Sequence, residues 1–370
     1  MTVAPLIAEA PESRATPPSH WPAPQNCQVG MVDPTVDPVW DRLVTSHSEF
    51  SFFHASAWLR VLCDTYGHKP IGVVWSTNGV VKALLPLVEV TSAFTGRRGV
   101  CLPFTDCCEP LYFGQFDPMV VLSELHHLAK ENSWNSFETR GRLGPGCPAR
   151  PSLVFHAHSL DLRVNSTTLF QRFSSSVRRA IRKAEQSGLR FELSVSEEGI
   201  GDFYRLHVRT RRRHGLPPQP FSFFRNVHQH VVKPGLGFVA LARSGSRPVA
   251  AAVFFHLGRN AIYKFGASDE RYQDSRPNNL VMWDAIQKLS DAKVEILHFG
   301  RTSLENEGLR RFKSSWGTIE RSLEYFRFDV TSNCWTSTKD KSSGIHNALF
   351  KRLPLMANRL IGAAIYPHLD

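Results

Sequence analysis

Short apolar runs and alternating apolar and polar positions recur along this chain, and they predict β-strands. The predicted strands are Ile71–Ser76, Val80–Val90, Val100–Phe104, Ser136–Thr139, Leu153–Leu162, Leu189–Val195, Gly237–Ala242, Pro248–His256, Asn260–Ala267, Val294–Phe299 and Ile319–Asp329. Apolar residues spaced three and four positions apart predict amphipathic helices between these strands. The predicted helices are Pro38–Thr45, Ala55–Tyr66, Met119–Asn132, Thr168–Ser187, Gly201–Arg213, Ser222–Val232, Asn278–Asp291 and Glu307–Ser314. The order predicts an α+β (α/β) fold, with mixed, mostly antiparallel sheets and a β-α-β crossover late in the chain.

The length of 370 residues favours two domains. The predicted elements of residues 31–160 form one α+β unit, and those of residues 165–330 form a second. Residues 1–30, rich in Pro and Ala, are predicted to be a disordered tail. Residues 340–370 are predicted to hold an amphipathic helix, kinked at Pro354. This helix either packs on the core or lies on a membrane surface.

The charge balance favours an anionic partner. Lys and Arg number 44 against 33 Asp and Glu, which gives a net charge of +11. Nucleic acid, a phosphate-bearing substrate and an anionic membrane face all fit this excess. The seven cysteines are odd in number and form no CxxC pair, so we expect free thiols and neither a disulfide framework nor a metal site. With no secretory signal and no long apolar run, the sequence predicts a cytoplasmic protein.

One segment combines a predicted strand end with charged groups. The apolar run Val294–Phe299 breaks at Gly300, and a basic helix follows. Ligands of open α/β sheets commonly bind at such strand ends. Arg301 and Lys313 flank this turn, and they could bind a phosphate or carboxylate of a substrate. The alternatives are an ordinary strand–helix connection and structural pairing of these cations with neighbouring glutamates.

Five stretches of the chain resemble the FemAB-like branch of the GNAT acyltransferase superfamily. This branch contains the peptidoglycan aminoacyl transferases and their relatives in exopolysaccharide gene clusters, including proteins with a BioF2-like acetyltransferase domain. The stretches are LPFTDCCEPL (Leu102–Leu111), SVRRAIRKAEQSGL (Ser176–Leu189), TRRRHGLPPQPFSFF (Thr210–Phe224), PNNLVMWDAI (Pro277–Ile286) and FGRTSLENEGLRRFKSSWG (Phe299–Gly317). The resemblance implies tandem GNAT-like domains, a degenerate one over residues 31–160 and an acyltransferase domain over residues 165–330.

The resemblance also implies the reaction and its co-substrate. An acyl or aminoacyl group would move to an amine or hydroxyl of a cell-envelope or exopolysaccharide precursor, from acyl-CoA or aminoacyl-tRNA, with no tightly bound cofactor. GNAT enzymes that use acetyl-CoA usually cradle its pyrophosphate in a Gly-rich loop, whereas the matching loop here, SDERYQDSRPNN, has no glycine. CoA would then bind through Arg276 and Asn278 at the start of a helix.

Candidate site residues follow from the same resemblance. His214 is the candidate base, because its pKa class suits neutral pH. The alternative for His214 is a turn residue that caps the preceding helix. Tyr263 begins the strand edge that would offer backbone N–H groups to the acyl carbonyl. The alternative for Tyr263 is a core position.

The remaining candidates would bind the acceptor. Arg211 and Arg212 could clamp the diphosphate of an anionic small molecule or a lipid-linked sugar, or they could be solvated charges. Asn279 could hold substrate amides or cap its helix. Asp106 could face a cleft between the two domains.

Two other functions stay open at this stage. In an aminoacyl-tRNA-dependent ligase, the basic helix Ser176–Lys183 would contact the RNA backbone. In a non-catalytic polysaccharide-assembly factor, the fold would serve for binding alone. Contact with the inner face of a membrane is a further alternative for the C-terminal tail.

Overall fold

Two similar runs of strands and helices follow one another along the chain. The structure is a computed structural model, and it describes residues 27–144, 147, 149–337 and 346–369. The first run consists of β1 (Gln28–Val32), α1 (Trp40–Ser46), α2 (Ser56–Tyr66), β2 (Lys69–Thr77), β3 (Val80–Ser92), β4 (Gly96–Val100), β5 (Leu111–Tyr112), α3 (Pro118–Glu131), β6 (Ser136–Arg140) and β7 (Leu153–Asp161).

The second run has the same kinds of elements, and two additional helices, α4 and α5, come before its first strand. It consists of α4 (Ser166–Arg172), α5 (Ser175–Glu185), β8 (Arg190–Ser194), α6 (Glu197–Arg213), α7 (Phe221–Val227), β9 (Gly237–Ser244), β10 (Arg247–Leu257), β11 (Asn260–Ser268), α8 (Pro277–Asp291), β12 (Ile296–Ser303), α9 (Glu307–Ser314) and β13 (Ile319–Asp329). The chain then adds β14 (Cys334–Trp335), α10 (His346–Arg352) and α11 (Leu355–Ile365).

The strand pairings repeat between the two runs. Strands β1 to β4 pair antiparallel in order, and β6 joins β4 in parallel after the helix α3. Strands β8 to β11 also pair antiparallel in order, and β12 joins β11 in parallel after α8. Parallel neighbours need a crossover connection, and the helices α3 and α8 provide it for β6 and β12. The chain therefore contains an internal structural repeat.

The last strand of each run pairs with the other run. Strand β7 lies between β12 and β13, and β13 lies between β7 and β6. This exchange joins the two repeats into one sheet, in the order β1-β2-β3-β4-β6-β13-β7-β12-β11-β10-β9-β8. The predicted domain boundary near residue 165 stays a prediction, because β7 and β13 are shared between the two halves of the sheet.

Helices cover both faces of the sheet in the second repeat. Apolar residues of α5 and α8 pack with β9 to β12 on one face, around the buried Trp283 and Trp316. Apolar residues of α6 and α7 pack on the other face, together with α2 of the first repeat. Burial of these apolar stripes is what the three- and four-residue spacing predicts. Over the described ranges, no helix is long and apolar enough to cross a membrane.

Several predicted segments differ from the structure. The predicted tail of residues 1–30 overlaps β1, which pairs with β2, while residues 1–26 lie outside the described residues. The single helix predicted for Thr168–Ser187 is two helices, because Phe173 is extended and the hydroxyl of Ser174 caps α5. Phe173 packs its ring against two tryptophans of the core, and this tertiary contact overrides helical propensity.

The C-terminal segment also forms two helices. Helix α10 ends at Arg352, and α11 begins at Leu355 directly after Pro354. A proline inside a helix removes a backbone hydrogen bond, so the predicted kink is a full break. Residues 340–345 of the predicted helix lie outside the described residues.

Candidate active site

Strands β11 and β12 run side by side for only three residues and then diverge. Their parallel pairing joins Asn260–Ile262 to Ile296–His298. Past that point, β11 carries one extra residue, Lys264, that has no partner in the register with β10. Strand β12 turns at Gly300, whose φ of 70° glycine adopts without steric cost. The edge Tyr263–Ala267 therefore has no strand partner on the β12 side, and we call this divergence of the two strands the β11–β12 gap.

The loop between β4 and β5 reaches this gap through a strained turn. Leu102 and Phe104 have φ values of 54° and 59°, which are costly for residues with a side chain. The carbonyl of Leu102 accepts hydrogen bonds from the Thr105 hydroxyl at 2.7 Å and from Arg140 Nη1 at 3.1 Å. These contacts fix the turn, and the next residue along the loop, Asp106, projects toward β11 and β12. The strand predicted for Val100–Phe104 is wrong beyond Val100, because this turn replaces it.

The Asp106 carboxylate bridges the two diverging strands. Its Oδ2 accepts a hydrogen bond from Lys264 Nζ of β11 at 2.8 Å. Its Oδ1 accepts one from the backbone N–H of Arg301 in β12 at 3.1 Å. Burial alone would raise the pKa of Asp106, but Lys264 and Arg301 outweigh it and hold the pKa at about 2. Burial lowers the pKa of Lys264, and Asp106 opposes that shift. We take the pair to be ionised at neutral pH.

Two more cations surround the carboxylate. Arg301 Nη1 donates to the Tyr325 hydroxyl at 2.9 Å, and its guanidinium lies 4.6 Å from the centre of the Phe155 ring. Lys313 Nζ donates to the carbonyls of Gly300 at 2.8 Å and Arg301 at 2.9 Å. Burial lowers the pKa of Lys313 to about 8. Three cations around one carboxylate leave a positive potential, which would stabilise a developing oxyanion in the β11–β12 gap.

A cavity of about 280 Å³ lies against Asp106 on one face of the sheet. Phenylalanines of residues 50–53 line one side, and polar groups of β7, β12 and β13 line the other. A second cavity of about 380 Å³ shares Cys107, Glu109, His158, His298 and Arg321 with it and extends to Arg142 of the first repeat. We call the two cavities together the sheet-face groove. Burial lowers the pKa of His298 to about 4, so its imidazole is neutral here.

A separate pocket of about 410 Å³ lies at the N-terminus of α8. Its lining includes Arg179 and Lys183 of α5, Arg276 directly before α8, and Asn279 of α8. A helix N-terminus carries partial positive charge, and three cationic side chains add to it here, so this pocket suits phosphate. We call it the α8 pocket. Asn278 instead donates its side-chain amide to the Ser268 hydroxyl at 3.3 Å.

The structure brings together some of the residues predicted for the site. Asp106, Arg301 and Lys313 meet at the β11–β12 gap, and Arg276 and Asn279 meet in the α8 pocket. The sequence predicted no link between α5 and α8, because they lie about a hundred residues apart and only the fold joins their cations. The roles of these residues stay predictions.

The candidates at the end of α6 lie elsewhere. Arg211 donates to the Pro217 carbonyl at 3.2 Å and the Tyr366 hydroxyl at 2.9 Å, and Arg212 donates to the Lys351 carbonyl at 3.3 Å. These bonds attach the C-terminal helices to α6. Partial desolvation, with added effects of nearby cations, lowers the pKa of His214. The described linings of the sheet-face groove and the α8 pocket include none of these three side chains.

Tyr263 packs as a core residue at the start of the free edge. Its ring lies 5.5 Å from Phe254 and 6.2 Å from Phe299, measured between ring centres. Burial raises the pKa of its hydroxyl to about 12, so Tyr263 keeps its proton at neutral pH. A Cβ on Gly266 would collide with this hydroxyl, so the glycine leaves room for the ring.

Lys264 is the central residue that sequence reasoning missed. Its signal was present, because it is the lone charged residue in the predicted strand Asn260–Ala267. A lysine in a buried strand needs an anionic partner. That partner, Asp106, lies 158 residues earlier in the chain, so no local pattern could identify it.

One known protein family matches the part of the chain that holds most of this site. Residues 171–314 match the model of the acetyltransferase (GNAT) domain family. These residues are therefore similar to a GNAT acetyltransferase domain. The matched range covers the β11–β12 gap and the α8 pocket, while Asp106 comes from outside it. The predicted resemblance to the GNAT superfamily is thus confirmed. No curated protein matches the chain.

Several solved structures share the fold of this chain. FemX aligns with a TM-score of 0.61 at 14% identity, over 77% of this chain and 94% of FemX. L-PGS from Bacillus licheniformis aligns at 0.52 and 15% identity, over 89% and 97%. A tandem GNAT protein from the clavulanic acid biosynthesis pathway aligns at 0.52 and 10% identity, over 82% and 98%. These likenesses concern the fold, and they confirm the predicted tandem GNAT architecture.

Proposed function

We propose that this GNAT protein transfers an acyl group from acyl-CoA to an amine or hydroxyl of an anionic cell-envelope or exopolysaccharide precursor. The observation that carries the proposal is the β11–β12 gap, where an unpaired strand edge meets Lys264, Arg301 and Lys313. The family match supports the reaction class. The acceptor class rests on the FemAB-like resemblance alone.

The α8 pocket would hold the phosphates of the donor. Arg179, Lys183 and Arg276 supply three positive charges around the first turn of α8. These charges would replace the Gly-rich loop that the chain lacks. The structure of the clavulanic-acid-pathway neighbour is described as being without AcCoA. We extend the acyl-CoA donor class that this description names to this chain.

The chemistry would be direct transfer. The amine or hydroxyl attacks the thioester carbonyl carbon, and the tetrahedral oxyanion forms beside the free edge of β11. The C–S bond then breaks, the acyl group stays on the acceptor, and the acceptor proton balances the departing CoA thiolate. Lys264 and Arg301 would stabilise the oxyanion, and Asp106 would keep both in place. Alignment of the two substrates supplies much of the rate in such reactions.

The sheet-face groove would hold the acceptor. It extends from Ile262 and Arg301 of the second repeat to Arg142 of the first. Its lining mixes phenylalanine rings with the charged groups Arg321, Arg142 and Glu109. Such a mixture suits a sugar or peptide acceptor with anionic groups.

A second candidate is the aminoacyl-tRNA-dependent ligase. The observation that favours it is the exposed basic face of α5, formed by Arg179, Arg182 and Lys183. This face borders the α8 pocket, so it could extend a phosphate-binding surface along an RNA backbone. The two candidates share a site and differ in the donor.

Thermal unfolding with separate additions of acetyl-CoA, longer acyl-CoAs and bulk tRNA tests the proposal. A ligand present at 100 times its dissociation constant stabilises the native state by about 2.7 kcal/mol. We expect acyl-CoA to raise the unfolding temperature of the wild type. We expect the triple variant Arg179→Gln/Lys183→Gln/Arg276→Gln to lose this shift.

The control is Arg225→Gln, which removes an exposed cation of α7 far from the pocket lining. It should keep the full shift. A salt-sensitive shift with tRNA alone would overturn the acyl-CoA donor in favour of the ligase. Absence of a shift with either donor would favour the non-catalytic assembly factor.

A further inference from the structure

The C-terminal helix α11 is attached to the α6–α7 region through one face only. Tyr366 OH donates to the Pro217 carbonyl at 3.2 Å. A Cβ on Gly362 would collide with the backbone of Pro218, so helix and loop are in close contact. Asn358 on the same face is fully buried. These contacts fix which side of α11 points outward.

The outward side of α11 presents large apolar side chains to solvent. Met356 is 74% exposed and Leu360 is 67% exposed. They lie four residues apart, so they are neighbours on one helical face. The smaller Ala363 and Ala364 continue this exposed face toward the C-terminus. Burial of these side chains requires a partner outside the described chain.

A basic basin lies beside the first residue of α11. An open basin of about 600 Å³ beside Leu355 of α11 is lined by Arg209, Arg212 and Arg213 of α6, by Arg271 and by Lys351. Two carboxylates, Asp269 and Glu270, also line it, and Arg271 pairs with the first at 2.6 Å. Five cations against two carboxylates leave the basin positive.

A second exposed apolar group lies at the far end of the helix. Phe94, at the tip of the turn between β3 and β4, is 82% exposed. Its ring lies 5.0 Å from the ring of His368, which follows α11. Leu369 beside it is 40% exposed. Two segments that are distant in the sequence thus contribute exposed apolar side chains at this end of α11.

We propose that this α11 surface, formed by Met356, Leu360, Phe94 and the basic basin, docks on an anionic lipid bilayer. Isolated apolar side chains flanked by Arg and Lys match the interfacial helices that insert one face among lipid headgroups. A protein partner fits less well, because the centre of a protein interface is a contiguous apolar patch depleted of charge. The inference is independent of the acyl donor and acceptor.

Co-sedimentation of the full chain with lipid vesicles tests the docking. We expect binding to vesicles that contain phosphatidylglycerol, weak binding to phosphatidylcholine alone, and release by added salt. Met356→Asp and Leu360→Asp should each lower the partition coefficient about tenfold or more. Both positions are exposed, so the thermal unfolding of each variant should match the wild type.

Val36→Asp is the matched control, because Val36 is also 74% exposed but lies in the first repeat before α1. It should bind vesicles as the wild type does. Arg209→Gln and Arg213→Gln should each reduce binding about fivefold, as expected for one charge near an anionic surface. Arg179→Gln/Lys183→Gln should leave it unchanged.

Three outcomes would overturn the proposal. One is no binding of the wild type to anionic vesicles at low salt. Another is an equal loss in Val36→Asp and Met356→Asp. The third is loss only in the α5 variant, which would assign the membrane contact to the basic face of α5.

Discussion

Replacement of Asp106 by Asn is expected to lower the free energy of unfolding by about 3–5 kcal/mol. The amide keeps the size of the side chain and still accepts the N–H of Arg301, but it leaves Lys264 without its anion. The Lys264 side chain is only 9% exposed, so its ammonium would stay charged in the core or lose its proton at a cost. Urea denaturation at neutral pH measures the loss.

Two further variants separate charge from shape. In Asp106→Asn/Lys264→Met the buried charges are removed together, and most of the lost stability should return. Asp161→Asn is the matched control. Its pKa is also held at about 2, chiefly by a hydrogen bond from Arg163, but that arginine is 61% exposed. The control should cost less than about 1 kcal/mol. A double variant no more stable than Asp106→Asn would show that the unpaired charge of Lys264 is not the cause of the lost stability.

The strands and helices of this chain are largely readable from periodicity, while their pairing is not. The hairpin of β2 and β3 follows from two apolar runs around Asn78-Gly79, and α8 follows from its three- and four-residue spacing. The exchange of β7 and β13 has no such signal. Either strand could pair with its own repeat, and only the complete sheet decides between the two arrangements.

The candidate site was predictable where one short segment carries it. Arg301 and Lys313 lie on a single strand–turn–helix segment, so the sequence could propose them together. Asp106 could be named only as a residue of a loop near a cleft, because its partners come from β11 and β12. His214 looked attractive for its pKa class, yet pKa class carries no information on position. The structure leaves it at the exposed end of α6.

Replacement of Lys313 should mainly affect turnover. Its ammonium holds the carbonyls of Gly300 and Arg301, and so it fixes the bend that opens the β11–β12 gap. A shift of about 1 Å at a reacting centre can cost about 10²-fold in rate, and we expect a loss of that order in Lys313→Met. The expected signature of this positioning role is a lower kcat with little change in KM for the acyl-CoA. Release of free CoA thiol with a surrogate amine measures both.

The pH profile gives the sharper test of Lys313. Burial lowers its pKa to about 8, so the ammonium and its two hydrogen bonds are lost as the pH rises through that value. The rate of the wild type should therefore fall above about pH 8. Stability should move the other way, because between pH 8 and the usual lysine pKa the unfolded chain binds the extra proton. Deprotonation of Lys313 therefore does not destabilise the fold, and a loss of rate above pH 8 cannot be explained by unfolding that this deprotonation causes. In Lys313→Arg the cation persists, and the alkaline fall should disappear. The same fall in both proteins would assign it to another group.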